Sequence, residues 1–245
     1  MLSTMSIASA PADANADVVF LLDVDNTLLD NDRIIADLRQ HLEAAFGGAS
    51  AERYWVVFEQ LRSELGYVDY LGALQRYRNE IAHGGGADHR LLQVSSFLID
   101  YPFADRLYPG ALEVLARLCG FGPTVILSDG DVVFQPRKVW RSGLWNAVQG
   151  RVLIYVHKEQ MLDQMQRLYP ARRHVMVDDK QRLLAAMKDV MGDRLVTVFP
   201  RQGHYALDPA NIARYPAADC TIEAFGELLT LDIGALLGAP SKEPV

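Results

Sequence analysis

Five short apolar runs, each followed by polar residues, constrain this chain more than any other feature. They lie at 18–22, 124–127, 152–156, 174–177 and 195–199. Each is near-continuous rather than alternating, the pattern of a strand covered on both faces. Amphipathic helical patterns at 112–118, 136–144, 158–169 and 181–191 alternate with the last four runs, the second of them opened by Pro136. Strands and helices alternating at these lengths imply right-handed crossovers and a parallel sheet with helices on both faces. The fold class read from the chain is α/β, with a doubly wound parallel sheet.

The stretch 32–102 breaks that alternation, with four helical patterns and no strand. Ile35, Leu38, Leu42 and Ala45 share one face, and Gly47-Gly48 ends that helix. Ser50 is placed to cap the next helix, whose apolar side carries Trp55, Phe58, Leu61 and Leu65. Leu71, Leu74, Tyr77 and Ile81 mark a third helix, stopped by Gly84-Gly85-Gly86. Leu91, Val94 and Leu98 mark a fourth, closed by Pro102. The expected division is a discontinuous α/β core at 17–31 and 103–235, an all-helical cap at 32–102, and flexible tails at 1–16 and 236–245.

Composition narrows the partners. The 245 residues hold 31 acidic and 24 basic side chains, for a formal charge of −7. Such a balance argues against nucleic acid, whose binders need a basic surface. No apolar run nears the roughly 20 residues a membrane span needs, and the start lacks the basic and apolar regions of a signal peptide. The two cysteines, Cys119 and Cys220, fit no disulfide or zinc spacing and read as free thiols. A cytoplasmic location is expected; oligomeric state is not legible.

Ligands of open parallel sheets bind outside the carboxyl ends of the strands. The first run ends in Asp23-Val24-Asp25-Asn26-Thr27, the second in Ser128-Asp129-Gly130, and the fourth in Asp178-Asp179. His157-Lys158 follow the third, and Arg201-Gln202-Gly203-His204 follow the fifth after Pro200. Taken singly, the Asp25-Asn26-Thr27 group could be turn chemistry and Ser128 a polar strand end. Gathered on one rim, these groups are costly unless they pair or hold a metal. Lys158 would start a helix, where the dipole disfavours a cation, so a partner among Asp23, Asp178 or a phosphoryl oxygen is expected. Asp178 and Asp179 repel as neighbours unless a divalent cation sits between them and their surroundings.

The order DxDxT, Ser, Lys and Asp-Asp, each at a strand end, resembles the haloacid dehalogenase-like hydrolase superfamily. The closest likeness is to its Mg-dependent phosphatases with a helical cap after the first motif. The resemblance implies a Rossmann-like core and a set of roles. Asp23 would be the nucleophile and Asp25 the general acid/base, with Lys158 stabilising charge in the transition state. Ser128 would bind the phosphoryl group, and Thr27 would brace the turn beside it. Asp129 stands where the family more often has Asn, so its contribution to binding is open. Mg2+ would be held by Asp23, the Asp25 carbonyl and Asp178, with Asp179 close by. Arg182 occupies a position where many members carry a further acid.

The expected activity is hydrolysis of a small phosphomonoester through an aspartyl-phosphate. Asp25 argues against dehalogenation, because a departing halide needs no proton. The absence of lysine from 32–104 argues against Schiff-base phosphonatase chemistry. A phosphomutase would share every motif, and a non-catalytic phosphate binder would have no need of Asp25. Substrate contacts are sought in Arg201 and His204 of the fifth loop, and in Arg62, Tyr67, Asp69, Arg76 and Arg78 of the cap. His157 and His174 lack ligand spacing and are assigned to packing or surface.

Overall fold

The computed structural model describes residues 16–81 and 88–238. Six strands form one sheet: β1 (Ala16–Leu22), β2 (Thr124–Asp129), β3 (Val152–Tyr155), β4 (Ala171–Val177), β5 (Leu195–Pro200) and β6 (Cys220–Ile222). All pair in parallel, in the order β3-β2-β1-β4-β5-β6. The chain winds outward from β1 to β3, then crosses back to the far side of β1 at β4. That reversal opens a crevice between the carboxyl ends of β1 and β4.

Both faces of the sheet are covered. Val18, Phe20 and Leu22 of β1 join one buried cluster with α5 (Ala111–Cys119), α6 (Phe134–Arg141) and α7 (Leu144–Ala147). Val19 and Leu21 point the other way, onto α8 (Leu162–Leu168) and α9 (Gln181–Met191). The near-continuous apolar runs follow from this two-sided burial. β6 has only three residues and left no run long enough to read.

The helical insertion follows β1. It comprises α1 (Asn31–Phe46), α2 (Gly48–Leu65), α3 (Tyr70–Ile81) and α4 (His89–Asp100). Their apolar sides form a third cluster rich in aromatics, including Tyr54, Trp55, Phe58, Tyr70 and Tyr77. Tyr101, Phe103 and Phe134 complete it, so α6 of the core shares the insertion's packing. The two connections run side by side: Leu29 bridges Leu107, Asp30 N–H donates to Arg106 O at 2.8 Å, and Tyr108 N–H donates to Leu28 O at 2.9 Å. After β5 come α10 (Gly203–Leu207) and α11 (Pro209–Ile212), and α12 (Ile233–Gly238) closes the described chain.

Several local expectations shift. On α1 the predicted Leu38 and Leu42 are buried, Ile35 and Ala45 pack at the edge of the same cluster, and Ile34 and Phe46 complete the buried face. Gly47 precedes α2 directly, which places Ser50 inside its first turn rather than at its cap. Leu65 and Ile81 are exposed at helix ends. α6 starts two residues before Pro136, because Asp131 Oδ1 accepts from the N–H groups of Val133 and Phe134 at 2.8 and 2.7 Å. Proline is tolerated there since a first-turn N–H has no helical partner. The pattern at 158–169 divides into a single 3₁₀ turn, Lys158–Gln160, and α8. Ala16 belongs to β1, and Leu236, assigned to a tail, is buried in α12. Leu237 and Gly238, also assigned to that tail, end α12, while 1–15, 239–245 and the Gly84-Gly85-Gly86 stop lie outside the described residues. Both cysteines are free, and among the described residues no helix is long and apolar enough to cross a membrane.

Candidate active site

The strand ends at the β1/β4 crevice bring Asp23, Lys158, Asp178 and Asp179 together, all buried. Leu22 pairs with Val177, so the next residues on both strands, Asp23 and Asp178, flank the crevice. The Asp23 N–H donates to Val177 O at 3.0 Å. Lys158 reaches in from the loop after β3. Its Nζ lies 2.5 Å from Asp23 Oδ1, 2.7 Å from Asp178 Oδ2 and 3.3 Å from Leu127 O. Hydrogen bonds to Asp23 and Leu127, with the ion contact to Asp178, fix the head group among these acids. These anchors, and the bond from Lys158 N–H to Asp129 Oδ1 at 2.8 Å, pull this residue out of the helical pattern. Asp129 is therefore tied to the backbone that presents Lys158.

Thr27 is fully buried and bridges two loops. Its hydroxyl donates to Asp23 Oδ2 at 3.3 Å and accepts from Asp179 N–H at 3.1 Å. The Asp178 Oδ1 accepts from Lys180 N–H at 2.8 Å. Neither carboxylate oxygen of Asp179 has a partner, although both are buried. One oxygen from each of Asp23, Asp178 and Asp179 lies within 4.8 Å of the others. Burial raises the Asp178 carboxyl to about 6; Lys158 opposes the rise and Asp23 adds to it. Burial likewise pushes Asp179 well above its ordinary value, against the pull of Lys180. Three packed carboxylates with orphaned oxygens make a donor set suited to a hard, oxygen-seeking cation such as Mg2+.

A second group lies toward the insertion. The Asp25 Oδ1 accepts from Lys138 Nζ at 2.6 Å, and the same ammonium donates to Asn31 Oδ1 at 3.0 Å. Lys138 is 1% exposed while the Asp25 side chain keeps 26%, so Asp25 still faces a cleft. Beside them Gln135 Nε2 donates to the buried Ser128 Oγ at 3.0 Å. The cleft, of about 360 Å3, lies between the strand ends and the α2–α3 connection. Asp25, Asp129 and Lys180 line one side; Arg62 and Tyr67 line the other.

The remaining residues singled out in the sequence fall elsewhere. Arg201 pairs with Glu223 at 3.1 Å, and His204 Nδ1 lies 2.6 Å from Asp32 Oδ1; neither lines this cleft. Between them, Gln202 anchors the first loop: its Nε2 donates to the carbonyls of Asn26 and Thr27 at 3.1 and 2.8 Å. Gly203 is required beside it. Its φ is +76°, and a Cβ there would stand 2.4 Å from Asn26 Cβ. Arg76 is paired with Glu64, Asp69 Oδ1 accepts from Gly72 N–H, and Arg78 is exposed on α3. His157 lines the cleft, and His174 is buried with Nε2 on Tyr169 O. Lys138, Gln135, Gln202 and Lys180 were not singled out. Gln202 and Lys180 stand next to residues that were. Lys138 and Gln135 have no sequence signal beyond a helix that follows a polar strand end.

Residues 18–190 match the family described as haloacid dehalogenase-like hydrolase. Among solved structures, one from Burkholderia xenovorans LB400, described as haloacid dehalogenase-like hydrolase, is 64% identical, with a TM-score of 0.82 over 89% of this chain and 99% of that one. A haloacid dehalogenase-like family hydrolase from Xanthomonas campestris is 16% identical, with a TM-score of 0.64 over 94% and 95% of the two chains. The L-2-haloacid dehalogenase of Xanthobacter autotrophicus, 18% identical with a TM-score of 0.58 over 89% and 99%, shares the fold. No curated protein matches the chain. The family match across most of the core and the high identity to one member lead to one conclusion: this chain belongs to the haloacid dehalogenase-like hydrolases and is an enzyme of that class.

Proposed function

We propose that this protein is a Mg2+-dependent phosphatase that hydrolyses a small phosphomonoester. The observation that carries the reading is the Asp179 carboxylate, buried with both oxygens unpartnered beside Asp23 and Asp178. Halide displacement by a carboxylate has no use for such a surplus of buried negative charge. A phosphate site does, once a divalent cation is bound. Asp23, Asp178, Asp179 and the carbonyl of Asp25 would hold Mg2+. When bound, it would shield the negative oxygens of the phosphoryl group and orient it for in-line attack.

The chain's own residues supply the rest. An Asp23 carboxylate oxygen attacks phosphorus as the bond from phosphorus to the ester oxygen breaks, giving an aspartyl-phosphate and an alcohol. The Asp25 carboxylic acid gives its proton to that leaving oxygen. Water then attacks phosphorus, Asp25 takes its proton, and the Asp23–phosphorus bond breaks to release inorganic phosphate. Lys158 and Ser128 stabilise the phosphoryl oxygens as charge moves. Thr27 keeps Asp23 aimed, through the same hydroxyl that holds the Asp179 backbone. The helical insertion acts as a cap over the cleft, which favours small substrates over polymers.

The test is a phosphate-ester panel that includes an aryl phosphate, run with Mg2+ and with EDTA, alongside chloride release from 2-chloropropionate. Hydrolysis that needs Mg2+ and falls by about three orders of magnitude or more in Asp23→Asn is expected. Chloride release without phosphate release, or full activity in Asp23→Asn, would overturn the reading.

A further inference from the structure

We propose that the leaving group of the substrate carries a second anionic group, a carboxylate or a further phosphate, held across the cleft by Arg62 and Arg182. This inference rests on the phosphatase reading and names the substrate class for the same site.

Both guanidinium groups line the cleft, Arg62 from α2 of the insertion and Arg182 from α9 of the core. Each has a distant carboxylate partner, 3.5 Å away in both cases: Glu59 for Arg62 and Glu159 for Arg182. Arg76–Glu64 at 2.7 Å and Arg106–Asp37 at 2.8 Å are much closer pairs. The other contact of Arg62 is the hydroxyl of Tyr205, which also lines the cleft, at 3.3 Å. Arg182 sits in the first turn of α9, where the helix dipole disfavours a cation, so helix stability does not account for it.

The acids of the cleft do not neutralise these groups. Asp25 is matched by Lys138, and Asp129 accepts from the Lys158 backbone. Lys180 adds a further cation to the lining. The lining thus carries three cations, Arg62, Lys180 and Arg182, against two acids, one of them already matched by Lys138, although the whole chain is acidic. Two guanidinium forks facing one space suit a planar carboxylate or a phosphate, which accept paired N–H bonds. About 360 Å3 accommodates a small dianion.

The experiment compares glycerol 3-phosphate, whose leaving group is neutral, with 3-phosphoglycerate and 1,3-propanediol bisphosphate, with Mg2+ present. One of the latter two is expected to show about tenfold or greater advantage in kcat/KM, and which one it is separates carboxylate from phosphate. Arg62→Gln and Arg182→Gln should each reduce that advantage about tenfold, through KM more than kcat, at an unchanged thermal midpoint. In Asp23→Asn, calorimetry should show 3-phosphonopropionate binding at least tenfold tighter than propylphosphonate, a gap that Arg182→Gln closes. Equal rates on all three esters, or equal losses on all three in both variants, would overturn the subsite and leave the phosphatase intact. Preferential binding of 3-phosphonopropionate with no ester hydrolysed would sustain the subsite and overturn the phosphatase.

Discussion

Lys158 and Lys138 are both almost wholly buried lysines that end on carboxylates, yet they stand in unlike surroundings. Lys158 lies on the inner rim, among Asp23, Asp178 and Asp179, where acids outnumber it. Lys138 lies on the outer rim and matches Asp25 one to one, with Asn31 taking a further proton. The inner region is electrostatically incomplete, while the outer one is balanced and half open to the cleft. The difference suggests a division of labour. The surplus inside suits a divalent cation, and the half-open Asp25 outside is placed to meet substrate and then water.

The strongest way to break this comparison is to remove each cation in turn. Lys158→Met strands two fully buried carboxylates, for which a loss of about 3–5 kcal/mol is expected. Chemical denaturation should show it as a large drop in midpoint. Lys138→Met leaves Asp25 able to turn toward water, so a loss of about 1–2 kcal/mol is expected. Its kinetic signature should be a larger fall in kcat for alkyl phosphates than for an aryl phosphate, whose leaving group needs little protonation. Equal destabilisation by the two variants would show that the regions do not differ as described.

Asp179→Asn sharpens the contrast from the other side. It removes a buried charge to which no side chain donates a hydrogen bond. Without Mg2+ the variant should be more stable than wild type, by about 1 kcal/mol or more. The rise in thermal midpoint that Mg2+ gives the wild type should shrink or vanish. A variant less stable than wild type in EDTA would mean that the Asp179 carboxylate is already satisfied.

The smallest expected effect lies at the root of the insertion. Burial raises the Asp37 carboxyl, but hydrogen bonds from Tyr101 and Arg106 outweigh it and hold it below its ordinary value. A lowered carboxyl stabilises the fold above its unfolded pKa, and that contribution fades as pH falls through the folded value. Asp37→Asn should therefore cost about 1 kcal/mol at pH 7 and progressively less below about pH 4. Urea titrations of both proteins across that range would check it. A difference that persisted unchanged into acid would assign the effect to packing instead.

Much of the core was legible because two-sided burial writes itself into consecutive residues. Phe20, Leu21 and Leu22 could only belong to a covered strand, and the polar residues after such strands had to share one rim. The insertion was legible as four helices, and on α1 Leu38 and Leu42 were read correctly; between the equally apolar Ile34 and Ile35, packing buried the first and left the second at the edge. The fifth loop shows the limit. Arg201 and His204 looked like ligands by residue type, while the buried Gln202 between them holds the first loop in place. An amide is chemically quiet, and its importance comes from which carbonyls it meets.

The sequence by itself determined a parallel α/β sheet with a helical insertion, and it placed Asp23, Lys158, Asp178 and Asp179 at strand ends. Local patterning suffices for that, since strand direction sends every carboxyl end to one edge. Only the tertiary structure decided that Lys138, among 24 basic residues, lies buried against Asp25. It alone left the Asp179 oxygens without a partner and set Arg62 and Arg182 on one cleft. Burial and pairing are properties of the whole packed chain. A lysine on an exposed helix and a lysine in an ion pair read identically until the neighbouring elements close around them.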